Sequence, residues 1–153
     1  MTTLNYRHLT TLTLKVDFPS TAGIGATPAG IRRIAPVIGG TFAGERLSGS
    51  ARPGADWALI RPDGVLNIDV RLTLETHDKA LIYLQYAGRF VATSAGMAQF
   101  SKGVVLDPAD YSLVITAKFE SGDERYAWLN NVVAVGTGEQ TAAGPIYSIF
   151  EVG

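Results

Sequence analysis

Residues 65–75, with the sequence VLNIDVRLTLE, decide the fold class. Apolar and polar side chains alternate along this stretch: Leu66, Ile68, Val70, Leu72 and Leu74 are apolar, and Asn67, Asp69, Arg71 and Thr73 are polar. A period of two places the two sets on opposite faces of a β-strand, whereas a helix needs a period of about 3.6 residues. The stretch therefore predicts a strand with one apolar and one polar face.

Similar short alternating runs occur along the rest of the chain. They cover residues 9–16, 31–38, 42–50, 56–61, 81–86, 111–120, 125–135 and 146–152. Turn sequences such as Pro62-Asp63-Gly64 and Asp78-Lys79 separate most of these runs. The sequence thus predicts about nine strands, and residues 94–102 are the one candidate for a short helix.

Consecutive antiparallel strands at this spacing form either a sandwich or a barrel. A barrel leaves no exposed sheet edge. Gly39, Gly40, Gly44 and Gly49 fall where strongly coiled or bulged strands need residues without a Cβ atom. We therefore predict an all-β fold in which residues 1–153 form one domain, a single antiparallel β-barrel of about eight to ten strands with at most one short helix.

The composition excludes several kinds of site and partner. The chain has no cysteine and only two histidines, so a zinc site with thiolate or imidazole ligands is not expected. Lys plus Arg is 13 and Asp plus Glu is 14, and no basic patch suited to nucleic acid is present. We expect no metal, no cofactor and no nucleic-acid partner.

The sequence also predicts the cellular location of the protein. It has no run of about 18 apolar residues, and residues 1–17 lack the pattern of a signal peptide. Charged residues on several predicted strands, among them Arg33, Arg71 and Lys118, disfavour an outer-membrane barrel. We therefore expect a cytoplasmic protein that does not bind membranes.

A series of motifs resembles a known family. The motifs are Thr27-Pro28-Ala29-Gly30-Ile31-Arg32-Arg33-Ile34, Pro36-Val37-Ile38-Gly39-Gly40-Thr41-Phe42-Ala43-Gly44, Pro53-Gly54-Ala55-Asp56-Trp57, Phe119-Glu120-Ser121-Gly122, Tyr126-Ala127-Trp128-Leu129-Asn130 and Val135-Gly136. Together they resemble the uncharacterised family named domain of unknown function three-two-three-seven. The resemblance implies a small antiparallel β-barrel that forms a homo-oligomer, and it implies no particular chemistry. Lys79 stands where the family's hairpin usually has glycine, so backbone strain is expected there.

The polar row of residues 67–73 has two possible orientations. In a barrel such a row faces either bulk water or the lumen. If it faces water, the apolar residues between its members form the core, as is usual in a soluble barrel. If it faces the lumen, Asp69 and Arg71 point the same way and pair there. The sequence leaves both alternatives open.

A second group of residues has the composition of a ligand-binding wall. On a strand, Tyr126, Trp128 and Asn130 share one face, and such a mixture of flat rings and polar groups suits a cavity that binds a small apolar organic molecule. Ordinary core packing is the alternative. We add Trp57 and Tyr147 to these residues as predicted ligand-binding side chains.

A carboxylate shielded from water inside such a cavity has a raised pKa and can transfer protons near neutral pH. The candidate acids or bases are Asp56, Asp69 and Glu120, and Arg71 and Tyr83 are candidates to stabilise an enolate oxygen. The sequence thus predicts a cofactor-independent enzyme, an isomerase, hydratase, cyclase or retro-aldol lyase, that acts in the lumen on an apolar compound with a carbonyl or hydroxyl group. The alternatives are a non-catalytic carrier or sensor of a small hydrophobic ligand and an oligomeric scaffold with a filled interior.

Overall fold

The computed structural model describes residues 2–153, which form mainly antiparallel strands. The strands are β1 (Tyr6–Val16), β2 (Ala22–Thr27), β3 (Gly30–Ala43), β4 (Gly49–Ala51), β5 (Gly54–Ile60), β6 (Leu66–Thr76), β7 (Leu81–Ala92), β8 (Tyr111–Glu120), β9 (Val133–Gln140) and β10 (Pro145–Val152). Helix α1 (Ser94–Ser101) connects β7 to β8, and 3-10 helices lie at Phe18–Ser20, Pro108–Asp110 and Glu124–Asn131.

The strands close into a barrel. From β5 to β10 each strand pairs antiparallel with the next, β10 pairs with β1, β1 pairs with β3, and β3 pairs with β5. Eight strands form this ring, and β2 and β4 are the two additional strands. The predicted all-β antiparallel barrel is confirmed.

Strand β6 shows which face the barrel turns inward. Its apolar residues, from Leu66 to Leu74, are buried, and the polar row between them lies on the outer face. Of the two orientations considered for this row, the structure has the one that faces the surroundings. Strands β7 and β8 alternate in the same way, and Leu84 pairs with Leu72 on one side and with Phe119 on the other. Burial of this apolar layer is the main term that stabilises the barrel.

Two glycines allow strands to approach closely. A Cβ atom on Gly40 would lie 2.1 Å from the carbonyl oxygen of Thr13, and one on Gly49 would lie 2.1 Å from that of Glu75. No side chain can be accommodated at such distances, so both positions require glycine. The prediction that glycines inside strand patterns mark tight coiling is confirmed at these two positions.

The strand predictions differ from the structure in several places, of which the following matter most. Strand β3 runs without interruption through a segment predicted to end one strand and begin another, and β2 was not predicted because its small residues show no alternation. Residues 124–131 form a 3-10 helix instead of the predicted strand. The side chain of Asp123 caps this helix by accepting a hydrogen bond from the Arg125 N–H at 2.9 Å.

The two ends of the barrel differ. The 3-10 helix Glu124–Asn131, here called the plug helix, lies at one end, where the Tyr126 hydroxyl donates a hydrogen bond to Asp78 Oδ1 on the β6–β7 hairpin at 2.7 Å. At the opposite end, Phe18, Phe100 of α1 and the β9–β10 hairpin surround the mouth of a cavity. The candidate site lies at this second end.

Candidate functional site

A cavity of about 100 Å³ extends from the open end into the lumen. Aliphatic side chains such as Val37, Ile68 and Val70 form most of its wall. Asp56, Tyr86 and Tyr147 contribute polar groups. An apolar cavity with a few convergent polar groups is the usual form of a small-molecule site.

Strand β5 places Asp56 on the inner face of the barrel. Alternate residues of a strand share a face, and Ala58, two residues after Asp56, is buried, whereas Trp57 between them is 38% exposed. Asp56 pairs with Val70 of β6, and Val70 pairs with Tyr86 of β7. Asp56 and Tyr86 therefore flank Val70 in one row across three strands.

The Asp56 carboxylate also takes the place of a backbone acceptor. Its Oδ1 accepts a hydrogen bond from the Asp69 N–H at 3.0 Å, next to a short break in the pairing between β5 and β6. The Trp57 carbonyl at this break accepts a hydrogen bond from Arg32 Nη1 at 2.7 Å. Because buried backbone groups need partners, the bond from the Asp69 N–H holds the Asp56 side chain in one orientation.

Burial raises the pKa of Asp56 to about 7, because apolar surroundings disfavour the ionised carboxyl group. The hydrogen bond from the Asp69 N–H lowers this pKa, the Asp69 charge raises it, and the Arg32 guanidinium lowers it. Asp56 therefore gains and loses a proton close to neutral pH. A group with such a pKa in a cavity is typical of acid/base catalysis.

Tyr86 and Tyr147 meet inside the lumen. Their ring centroids are 5.1 Å apart with an interplanar angle of 61°, and both side chains are buried. Burial raises the pKa of each phenol above its usual range, and the charge of Asp56 raises it further. Both phenols consequently stay protonated and can donate hydrogen bonds to an oxygen atom of a bound molecule.

Gly138 of β9 provides the space that the ring of Tyr147 occupies. The two residues pair across β9 and β10, and a Cβ atom on Gly138 would lie 2.7 Å from Tyr147 Cε1 and 2.5 Å from Leu113 Cδ2. The tyrosine ring covers bare backbone at this position, an arrangement known from other sheets as the cover of a glycine by a cross-strand aromatic residue. Because Gly138 has no side chain, the ring of Tyr147 packs directly on its backbone, and this contact helps to fix the position of the ring.

Asp56 and Tyr147 are the predicted site residues that line the cavity. Tyr86 was not predicted, although its position in the sequence carries a signal. It follows Ile82 and Leu84 at intervals of two residues, and all three are buried. A tyrosine in phase with an apolar face is directed toward the core, so its hydroxyl is available to the lumen.

The other four predicted catalytic residues, and Trp57 of the predicted ligand-binding residues, lie on the outer face of the barrel. The outer faces of β5, β6, β7 and β8 carry Trp57, Asp69, Arg71, Tyr83 and Glu120. The Arg71 guanidinium lies 5.9 Å from the centroid of the Trp57 ring, so these two side chains contact each other on the surface. The structure therefore does not bring this group to the lumen, and the acid/base candidate that it places there is Asp56.

The remaining predicted ligand-binding residues belong to the plug helix. Tyr126 binds Asp78, and the Arg46 guanidinium lies 4.7 Å from the centroid of the Trp128 ring. Asn130 Oδ1 accepts a hydrogen bond from the Ser121 N–H at 2.8 Å, and its Nδ2 donates one to the Ser121 carbonyl at 3.0 Å. These contacts fasten the end of the barrel away from the cavity mouth. The shared face predicted for these residues is wrong because the segment is a 3-10 helix.

Residues 2–153 offer neither a metal-binding cluster of side chains nor a membrane-spanning helix. They contain no group of three or more His, Asp or Glu side chains that could hold a metal ion. Within the same range, no helix has the length and apolar character needed to cross a membrane.

Solved structures resemble this barrel over its whole length. A crystal structure of a beta-barrel like protein from Acinetobacter baumannii AYE has a TM-score of 0.86 and 35% sequence identity, covering 100% of this chain and 98% of that one. The conserved protein of unknown function from Rhodopseudomonas palustris has a TM-score of 0.93 and 27% identity, with 99% of each chain covered. An enzyme from Penicillium herquei has a TM-score of 0.74 at 20% identity, covering 100% and 97%, a likeness that concerns the fold alone.

Sequence comparison agrees with the structural likeness. An UPF0311 protein of Rhodopseudomonas palustris is 29% identical over 151 residues, which is 98% of this chain and 97% of the relative. The model of the family described as Protein of unknown function (DUF3237) matches residues 4–152. The resemblance inferred from the motifs is confirmed. Because the match covers nearly all of its length, the chain belongs to the DUF3237 family.

Proposed function

We propose that the protein is a cofactor-independent acid/base enzyme, in which Asp56 moves a proton on a small apolar compound that carries a carbonyl or hydroxyl group. One observation carries this proposal: a carboxyl group whose pKa is about 7 lies on the wall of a mainly apolar cavity. A general base is most effective when its pKa is close to the pH at which it works. Within the described residues, Asp56 is the one Asp or Glu in the cavity wall.

The three polar side chains have complementary roles in such a reaction. The Asp56 carboxylate removes a proton from the carbon next to the substrate's carbonyl group, and the electrons of the C–H bond form a C=C bond. The carbonyl oxygen takes up the negative charge, and the phenols of Tyr86 and Tyr147 donate hydrogen bonds to this enolate oxygen. Where the enolate is conjugated with a further C=C bond of the substrate, return of the proton from Asp56 to the far carbon of that conjugated system completes an isomerisation. A hydratase, cyclase or retro-aldol lyase needs the same base and the same hydrogen-bond donors.

The fold is compatible with catalysis, since a protein of similar fold from Penicillium herquei is described as an enzyme. Fold alone does not define a reaction, and the proposal therefore depends on the three side chains in the cavity. The homo-oligomer and the cytoplasmic location remain predictions from the sequence.

A carrier or sensor of a small hydrophobic molecule is the second candidate. The observation that favours it is the aliphatic character of the remaining cavity wall, which includes Val37, Ile68 and Val70. A carrier needs this apolar surface and does not need the ionisation of Asp56. The two candidates therefore differ in one outcome. Removal of the Asp56 carboxylate stops a reaction of the bound molecule if the protein is an enzyme, whereas a carrier catalyses no reaction that could be lost.

The test is a screen of small apolar ketones for exchange of their α-hydrogens in D₂O, followed by proton NMR. With an active ketone, we expect Asp56→Asn to reduce the exchange rate by about 10²–10⁴-fold. The matched control is Glu120→Gln, which removes a carboxylate from the outer face of β8, away from the cavity; it should change the rate less than two-fold. Exchange at the wild-type rate in Asp56→Asn would contradict the proposal, and saturable binding without exchange would favour the carrier.

A further inference from the structure

A second hollow, of about 510 Å³, adjoins the mouth of the cavity. We call it the vestibule. Phe18, Phe100 and Thr141 belong to the walls of both the cavity and the vestibule. The two spaces therefore adjoin at the open end of the barrel, and the vestibule offers room for the part of a ligand that the cavity does not hold.

Arg33 of β3 lies in the wall of the vestibule. It shares a face of its strand with Ala35 and Val37, which line the cavity. It also pairs with Ala58 of β5, whose side chain is buried inside the barrel. The Arg33 side chain thus starts from the inner face of the barrel at its open end, and it is half-buried there.

The charge of Arg33 is not balanced by a neighbouring carboxylate. Within residues 2–153, the ion pairs involve other arginines and one lysine, and no Asp or Glu belongs to the vestibule wall. The adjacent Arg32 differs, because it donates a hydrogen bond to the Trp57 carbonyl at 2.7 Å. A half-buried guanidinium with no anionic partner, at the mouth of an apolar cavity, is suited to bind an anionic group of a ligand.

Strand register gives the separation between this cation and the proposed base. Ala35 pairs with Asp56, and Arg33 pairs with Ala58. Arg33 and Asp56 are therefore diagonal neighbours on adjacent strands, which are typically about 7–8 Å apart. A small molecule can reach from one side chain to the other.

We propose that the substrate is a small, otherwise apolar carboxylic acid, whose carboxylate binds Arg33 in the vestibule while its carbonyl- or hydroxyl-bearing part lies in the cavity beside Asp56. The planar fork of the guanidinium matches the two oxygens of a carboxylate. Binding at Arg33 also orients the molecule, so that its reacting end enters the lumen first. This inference rests on the proposed function and specifies the substrate class for the same site.

The test measures binding and needs no turnover. Isothermal titration calorimetry compares 4-phenylbutyrate with the neutral 4-phenylbutyramide at about pH 6, where most of Asp56 is protonated and repels the carboxylate little. We expect the wild-type protein to bind the carboxylate about 10- to 100-fold more tightly than the amide. Arg33→Gln should abolish this preference, and Arg33→Lys should retain part of it.

Arg32→Gln is the matched control, because it removes the same charge from the neighbouring position. It should keep the preference for the carboxylate within two-fold. Equal affinity of the wild-type protein for acid and amide would overturn the inference, and so would an equal loss in Arg32→Gln and Arg33→Gln. Tighter binding of 4-phenylbutyl phosphate than of 4-phenylbutyrate, with the same dependence on Arg33, would overturn the choice of a carboxylate.

The binding test of Arg33 and the exchange test of Asp56 can fail independently of each other. Asp56→Asn should keep the preference for 4-phenylbutyrate over the amide, because Arg33 is unchanged. A carboxylate preference that depends on Arg33, found together with proton exchange that does not depend on Asp56, would contradict the proposed function alone. Exchange that depends on Asp56, found with no carboxylate preference, would contradict the inference about Arg33 alone.

Discussion

Asp56 couples the chemistry of the site to the stability of the fold. Its pKa is about 7 in the folded protein and 3.8 in a model peptide, so between these values the folded state holds a proton that the unfolded state has lost. A raised pKa of this kind stabilises the fold fully below about pH 4, and that stabilisation is lost as the pH rises through about 7. The protein keeps a carboxyl group whose ionisation destabilises it, as is common at functional sites.

We predict that Asp56→Asn stabilises the protein at about pH 8. The amide carries no charge, and its oxygen can still accept the hydrogen bond of the Asp69 N–H. The free energy of unfolding should rise by about 1–3 kcal/mol at about pH 8 and change little at about pH 4. Urea denaturation at the two pH values measures this difference. The same change at both pH values would contradict the assignment of the effect to ionisation of Asp56.

Lys79 is the residue at which the sequence predicted backbone strain, and the structure confirms a positive φ of 71°. It lies in the hairpin between β6 and β7, where its N–H donates to the Thr76 carbonyl at 3.0 Å. The left-handed conformation costs a residue with a Cβ atom about 1 kcal/mol, and glycine adopts it without this cost. We predict that Lys79→Gly raises the free energy of unfolding by up to about 1 kcal/mol.

Lys79→Ala is the control for that prediction. It removes the ammonium group that lies 3.5 Å from Glu75 Oε2 and retains the steric cost of the Cβ atom. Its stability in urea denaturation should not exceed that of the wild-type protein. A gain in Lys79→Ala equal to that in Lys79→Gly would show that charge, and not the backbone, is responsible.

Among the elements, the plug helix is the one whose role differs most from the prediction. The hydroxyl groups of Thr76 and Tyr126 donate hydrogen bonds to Asp78 at 2.6 and 2.7 Å and hold the pKa of that carboxyl below its usual value. A lowered pKa contributes stability above the unfolded value, and this contribution is lost as the pH falls. The plug helix therefore fastens one end of the barrel most firmly near neutral pH.

We predict that Tyr126→Phe lowers the melting temperature by about 2–5 °C at neutral pH, because one hydrogen bond to a charged acceptor is lost. Affinity for a lumen ligand should not change, because Tyr126 lies at the end opposite the cavity mouth. Differential scanning calorimetry and titration with 4-phenylbutyrate measure the two quantities. A loss of affinity without a loss of stability would restore Tyr126 to the ligand-binding residues.

The elements also show why the sequence predicted some features and not others. Strong alternation in β6 and β8 predicted both strands closely, because a period of two reports local geometry. In residues 126–130 the same period appeared by chance, while the buried pair Tyr126 and Leu129 has the three-residue spacing of a 3-10 helix. Alternation alone did not say which face of β6 is inside, since that depends on how distant strands close the ring.

At the scale of the whole molecule, the proposed function requires a barrel whose lumen keeps space for a ligand. A filled interior was one alternative left open by the sequence, and small barrels often have one. The cavity of about 100 Å³ is small, so a single larger side chain can occupy much of it. Ala35, which lines the cavity beside Asp56, offers such a position.

We predict that Ala35→Leu blocks the lumen and leaves the fold intact. It should reduce the affinity for 4-phenylbutyrate at least ten-fold, whereas stability should change by no more than about 1–3 kcal/mol, because the added methyl groups enter existing space. Ala87→Leu, on the exposed outer face of β7, is the matched control and should leave affinity unchanged. Unaltered binding to Ala35→Leu would place the ligand site outside the lumen.

The closed barrel holds the Asp56 carboxyl group in surroundings that bring its ionisation to neutral pH. Titration of the Asp56 side-chain carboxyl carbon by ¹³C NMR measures this directly in the free protein, with Asp56→Asn to assign the signal. We predict a midpoint near pH 7. A midpoint near the ordinary aspartate value of about 4 would contradict it, because Asp56 would then be an ordinary ionised side chain without the basicity that the proposed proton transfer requires.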